Sequence, residues 1–480
     1  MSNDTDSDYT LNGLSSSSSE ESLSISTSTD TTLIEDDESI CTMTSESTVS
    51  SIYLFDSFHE EDVFDIIQDI HQQFDDYYEK NIIKLSSPKF YTDMIQTVID
   101  TLYEEWECTI EVEIEDYSQI RDFVEQTYDD YEMYNTKIPK RSISYPSQCQ
   151  PTGDLSLNNV LVDQIKQLQG LPQPVQRTPE WYEFRNGLLS ASSLWKAIGS
   201  QSQINSIIYE KCKAFNEEPV YQQYGTGTAM HWGVKYEPVT VQIYEDLYQT
   251  EVGEFGCIRH PTYPFIGASP DGINIKPNSV KFGSMLEIKN IVNREITGIP
   301  KEDYWIQTQI QMETCDLDNC DFVETRIKEY EKEDEFYANT TNSDYRGIVL
   351  YFIKNDFSQN AEPIYHYMPL NVPLDRENIT KWIDADIELA RQDELVLFNT
   401  IYWYLDEFSC VLIERNRPWF SSAIVKFKEV WDIIEKEKVD GYEHRSPKKK
   451  VNKVGASNVD TRVHTIPRQT KICLVKLDSN

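Results

Sequence analysis

The stretch Met285 to Ile291 is apolar except for Glu287, Lys289 and Asn290. It reads as a buried strand, on which residues two apart share a face about 6.6 Å from one another. Glu287 and Lys289 therefore point the same way, while Ile288 points into the core. Burying a carboxylate and an ammonium on such a strand costs several kcal/mol unless a partner compensates. On its own, Glu-Ile-Lys has an ordinary explanation as a strand-edge ion pair. Fifteen positions before Glu287, however, ends the motif Ser269-Pro270-Asp271-Gly272. Pro and Gly fix a sharp bend that can hold Asp271 at the end of a neighbouring strand. Asp and Glu are hard oxygen ligands suited to Mg²⁺, and a Lys beside them adds a positive charge. Two close carboxylates raise each other's proton affinity unless a divalent cation lies between them. The pattern implies a metal.

The flanks carry further motifs in a fixed order. Arg177-Thr178-Pro179-Glu180-Trp181 leads to Arg185-Asn186-Gly187-Leu188-Leu189-Ser190-Ala191-Ser192. Gly227-Thr228-Ala229-Met230-His231-Trp232-Gly233 leads to Tyr236-Glu237-Pro238. After the Ser-Pro-Asp-Gly and Glu-Ile-Lys motifs comes Tyr304-Trp305-Ile306-Gln307-Thr308-Gln309-Ile310-Gln311-Met312. This succession resembles the lambda-type exonuclease or YqaJ-like viral recombinase family, within the PD-(D/E)xK nuclease superfamily, over about residues 176–330. The acidic, Tyr-rich extensions resemble proteins of giant double-stranded DNA viruses.

The resemblance implies an α/β fold with a restriction-endonuclease-like core, a mixed central sheet flanked by helices. It also implies a Mg²⁺-dependent DNA exonuclease, with Mn²⁺ as a substitute and two ions in the site. Asp271, Glu287 and Glu237 would ligate metal with the Ile288 carbonyl, Lys289 would orient the nucleophilic water and help deprotonate it, and Gln307 would stand near the scissile phosphate. Arg185 and Ser192 match positions that grip a terminal 5′-phosphate, and Gln311 is expected on the DNA-facing side with Tyr304 and Gln307. Duplex DNA is the implied partner, together with a single-strand annealing protein and self-assembly into an oligomer. Trp181 reads as core. Pro238 leaves the helix around Glu237 either starting there or kinked.

Charge divides the 480 residues unevenly. Residues 1–79 hold 20 acidic residues and no Lys or Arg, whereas 441–480 carry a net +6. With −39 overall, bulk charge repels DNA, so any binding has to come from a local basic patch, metal ions or the C-terminal tail. Residues 1–52 are Ser/Thr-rich and acidic and are expected to be disordered. An acidic helical domain is expected at 53–135, with Val63, Ile67, Ile70 and Phe74 on one face. A linker with one short helix follows at 136–175. The nuclease domain spans 176–355, a helical extension 356–440 and a basic flexible tail 441–480. No apolar run is long enough to span a bilayer, and Met1 to Thr10, without a basic region or apolar stretch, carries no expectation of a secretory signal. Nine cysteines without a Cys-x-x-Cys pair read as reduced thiols, Cys315 and Cys320 among them. The expected location is intracellular and soluble; for a viral protein that means host cytoplasm, virus factory or virion.

Ser193-Leu194-Trp195-Lys196 and Gly225-Thr226-Gly227 match known motifs only partially and are discounted. His231 and His260 read as structural histidines. Two rivals stand beside the exonuclease: a structure-selective or nicking endonuclease, and a non-catalytic interaction protein built on a vestigial nuclease core.

Overall fold

The computed structural model describes residues 58–109, 116–134, 138–145, 158–174, 178–213, 228–354 and 363–447. The 1–52 segment and nearly all of the basic tail lie outside the described residues. Three helices come first: α1 Glu60–Asn81, α2 Phe90–Thr109 and α3 Asp116–Tyr134. Then follow β1 Ile143–Ser144, α4 Asn158–Gly170, α5 Pro179–Asn186, β2 Leu189–Ser190, α6 Ala191–Leu194, α7 Gln201–Cys212 and α8 Ala229–Tyr248. The short strands β3 Val252–Gly253, β4 Ile258–Arg259, β5 Ile266–Ala268 and β6 Gly272–Asn274 precede β7 Met285–Asn290 and α9 Glu302–Cys315. The remainder comprises β8 Asn319–Glu329, α10 Glu333–Ala338, β9 Arg346–Lys354, β10 Ile364–Tyr367, α11 Arg376–Gln392, β11 Leu395–Glu414 and α12 Arg417–Asp440.

The central sheet is mixed and runs β10-β9-β11-β8-β7-β6-β3, with β1 added against β11. Within this sheet, among the described residues, only β7 and β8 pair in parallel, joined by α9 as the crossover. Helices cover both faces, which is the architecture the resemblance implied. A small second sheet, β2-β5-β4, stands beside it, and β5 runs directly into Ser269. Parallel pairing fits the composition of β7 and β8, both largely buried on their two faces.

Leu395–Glu414 departs from the expected helical extension: it is a single 20-residue strand at the centre of the sheet. Its sequence is rich in aromatic and β-branched residues and contains no Gly or Pro, so strand propensity prevails over the helical spacing of its apolar residues. Its first half pairs with β9 and its second half with β8.

The apolar interior is continuous from α1–α3 into the helices behind the sheet. Ile70, Phe74, Phe90 and Ile120 belong to the same cluster as Trp305, Ile310, Trp419 and Phe427. Trp305 and Trp419 meet edge to face at 5.1 Å. Their indole N–H groups donate to Arg141 O and Ile83 O, stitching the N-terminal helices to α9 and α12. All cysteines among the described residues are free thiols, and Cys315 and Cys320 are buried as expected.

Candidate active site

Asp271 stands at the turn into β6, its N–H donating to Leu286 O and its Oδ2 accepting from Ile288 N at 2.7 Å. These two bonds fasten the carboxylate to the strand that carries Glu287 and Lys289. Gly272 is required by packing: a Cβ there would lie 2.2 Å from Val252 Cγ1. Gly272→Ala should therefore destabilise the protein by about 1–3 kcal/mol and displace Asp271, which thermal unfolding and metal titration would detect.

Glu287 is fully buried, and Lys289 makes an ion pair with its Oε1. Gln307 Nε2 donates to the same oxygen at 2.8 Å, and Gln311 Nε2 donates to Oε2 at 2.6 Å. Tyr304 offers its ring to Lys289, 4.9 Å away, and to Arg294, 5.8 Å away. Gln309 lies round the helix, where it bonds Glu414 O and Asn416 N. Gln311, expected toward DNA, is fully buried beneath Glu287 and also reaches Ser269 O. Its side chain can orient Glu287 but cannot touch a polymer in solvent.

Glu237 sits inside α8, half-buried. The helix begins at Ala229 behind a Thr228 cap and runs through Pro238. The lost N–H falls opposite Val234, which is 39% exposed, so its carbonyl is within reach of water. The sequence showed no sign of what aims this helix: Asn290. Its Oδ1 accepts from Thr240 at 2.8 Å and Thr325 at 2.7 Å, and its Nδ2 donates to Gly233 O. That clamp ties α8 to β7 and β8.

The acids converge electrostatically. Burial, then the charges of Glu287 and Glu237, hold the Asp271 carboxyl well above the usual range, with Lys289 and the Ile288 N–H pulling it back. Burial alone would lower the Lys289 pKa, but Glu287 and Asp271 outweigh it and keep the ammonium charged. Among the described residues no group of three or more His, Cys, Asp or Glu side chains is already disposed around a metal position. The donor chemistry nevertheless suits a hard divalent cation. Asp271 has excess proton affinity from burial and from like charges, and two buried oxygens, Ser269 Oγ and Gln311 Oε1, lack hydrogen-bond partners among the described residues.

Arg185 stacks over Trp181, with 4.5 Å from guanidinium to ring centroid. Trp181 is only half-buried and α5 buries no residue, so it is not core as expected; its ring supports Arg185. Ser192 is exposed at the start of α6 and exchanges a hydrogen bond with Ser190. β2 pairs with β5, the strand that leads to Asp271, so Ser192 and the acid cluster share one scaffold.

Beneath Arg185, buried Lys211 donates to its carbonyl oxygen at 2.9 Å. Burial pushes the Lys211 pKa down to about 8, Glu210 partly offsets this, and Arg185 and Lys438 add to it. A lysine with a depressed folded pKa weakens the fold while it remains charged. Stability should rise as pH climbs from about 8 toward the unfolded value near 10.5. Lys211→Met should remove that rise and add on the order of 1–3 kcal/mol at pH 7, as denaturant titrations at several pH values would show.

A family profile described as the YqaJ-like viral recombinase domain matches residues 180–318. An uncharacterized protein of Acanthamoeba polyphaga mimivirus is 27% identical over 324 residues, covering 60% of this chain; the chain spans 57% of that relative's length. Two crystal structures of an alkaline exonuclease from Laribacter hongkongensis, one of them in complex with dAMP, are each 19% identical, with TM-score 0.32. The matches cover 54% and 56% of this chain, and 94% and 97% of the exonuclease. The chain thus resembles the YqaJ-like viral recombinase family, with a relative in a giant virus.

Proposed function

We propose that this chain, with residues 180–318 similar to a YqaJ-like viral recombinase domain, is a Mg²⁺-dependent deoxyribonuclease that digests duplex DNA from an end. The observation that carries this reading is the mutual electrostatic influence of Asp271, Glu287, Glu237 and Lys289, drawn from a turn, a strand and a helix. In this reading Asp271, Glu287, Glu237 and the Ile288 carbonyl would hold one or two divalent ions. Bound there, such an ion would supply Lewis acidity at the scissile phosphate.

The remaining contributions come from the side chains themselves. Lys289, held as ammonium by its carboxylate neighbours, supplies a fixed positive charge beside the phosphate as negative charge develops. That favours an electrostatic role over one as a base. Gln307 and Gln311 fix both oxygens of Glu287, and the Asn290 clamp holds Glu237 in register with the strand. Arg185 has no carboxylate within ion-pairing distance among the described residues, which leaves its guanidinium available for a terminal phosphate, with Ser192 as a second donor. Polarity from the 5′ end, two ions, action beside an annealing protein in viral DNA recombination, and self-assembly belong to the same proposal.

The test is product analysis on linear duplexes carrying 5′-phosphate or 5′-hydroxyl ends, beside a supercoiled plasmid, with and without Mg²⁺. Metal-dependent release of nucleotides from the linear 5′-phosphorylated duplex, with the plasmid intact, is expected. Plasmid cleavage would instead make this an endonuclease, and no release from any substrate would sink the nuclease reading.

A further inference from the structure

Beyond the acid cluster, the sheet carries a row of aromatic rings. Tyr365 and Tyr367 share one face of β10, about 6.6 Å apart along the strand. Tyr365 lies opposite Tyr351 of β9, with ring centroids 5.3 Å apart. Tyr351 in turn meets Phe398 of β11 at 4.9 Å. The neighbouring residues Leu350 and Phe352 turn to the other face and pack in a separate cluster with Ile379 and Ala390 of α11.

Phe398 owes its position to a break in pairing. Leu397 is opposite Phe352 and Asn399 is opposite Tyr351, so Phe398 is the unmatched residue of a bulge. Bulges re-aim side chains and recur beside functional sites. The Phe398 side chain remains 64% exposed, and Val396 next to it is 46% exposed. Core packing does not account for so large an exposed ring.

The row starts at the candidate active site. The Tyr367 hydroxyl donates to Lys235 O at 2.9 Å, two residues before Glu237. Burial, then Tyr365 and Glu237, raise the Tyr367 pKa, which puts Glu237 within electrostatic reach of the first ring. From there the rings step outward through Tyr365 and Tyr351 to Phe398. Stacking on unpaired bases needs neither a basic surface nor a particular sequence, because every base presents a π-face. That suits a chain of charge −39, which repels a phosphate backbone.

We infer that Tyr365, Tyr351 and Phe398 form a stacking track for the bases of single-stranded DNA passing the site built around Glu237. The inference deepens the nuclease reading and rests on it. It also predicts how binding responds to salt: affinity that comes from stacking should fall only gently as salt rises, whereas affinity built on many phosphate contacts falls steeply.

The test uses the full chain and a fluorescent oligothymidylate, with anisotropy read in EDTA so that no hydrolysis intervenes. Phe398→Ala and Tyr351→Ala should each weaken binding about 10-fold, the scale of one lost base–aromatic stack. Phe398→Tyr should restore it, and the salt dependence should be shallow. Unchanged affinity in both alanine variants, or no oligothymidylate binding by the wild type, overturns the track. So does a Phe398→Ala variant that dissociates an oligomer of the chain in sedimentation while oligothymidylate affinity holds, since that assigns the face to self-association. Hydrolysis of blunt duplex by the wild type is measured separately. An inactive wild type that still binds through these rings removes the nuclease reading and not the track.

Discussion

Asp271→Asn and Lys289→Ala should each lower nucleotide release from an end-labelled duplex by at least about 1,000-fold, roughly 4 kcal/mol of transition-state stabilisation. Asp271→Asn keeps the shape and the bond from Ile288 N but removes the charge that Glu287 and Glu237 oppose. It should therefore weaken divalent-cation binding in calorimetry while leaving the fold intact. Lys289→Ala acts differently. It removes the cation paired with fully buried Glu287, leaving that carboxylate with two amide donors and no counter-charge. Breaking a buried pair from one side typically costs 3–5 kcal/mol, so this variant should lose stability as well as activity. Loss of activity in Asp271→Asn without loss of cation binding would count against metal ligation by Asp271.

The second large effect concerns stability. Trp305→Ala and Trp419→Ala should each cost about 3–5 kcal/mol, the range for removing a buried aromatic side chain. Both rings are fully buried, touch each other, and donate to backbone carbonyls at Ile83, between α1 and α2, and at Arg141, just beyond α3. Because α9 also carries Gln307 and Gln311, Trp305→Ala should reduce activity more than its loss of folded population explains. Urea titration followed by kcat measurement under fully folded conditions separates the two. If the N-terminal helices were a detachable module, these variants would unfold only that region and leave activity unchanged.

Much of the candidate site's geometry was legible because strand periodicity is simple. Once Met285 to Ile291 reads as extended, Glu287 and Lys289 must share a face, and Pro270-Asp271-Gly272 must turn a chain nearby. Helical spacing likewise grouped Tyr304, Gln307 and Gln311. Depth was not legible: periodicity tells which side Gln311 faces, not that Glu287 lies between it and solvent. Nor was the identity of β11. Its aromatic and β-branched residues fit helix and strand alike until its partners β8 and β9 are known, and those lie far away in sequence. The Asn290 clamp escaped because its partners, Gly233, Thr240 and Thr325, are recruited from elements 35 to 57 positions away.

The placement of β11 bears on how this protein can be cut. The region similar to the recombinase domain ends at residue 318, one position before β8 begins. An expressed fragment with those limits would present β7 without its parallel neighbour. Extending it to 394 would add β8 and β9 but not the strand lodged between them. Either fragment offers long, apolar, unsatisfied backbone edges to other copies of itself, an invitation to aggregation. A recombinant version meant to stay in solution has to run past Glu414.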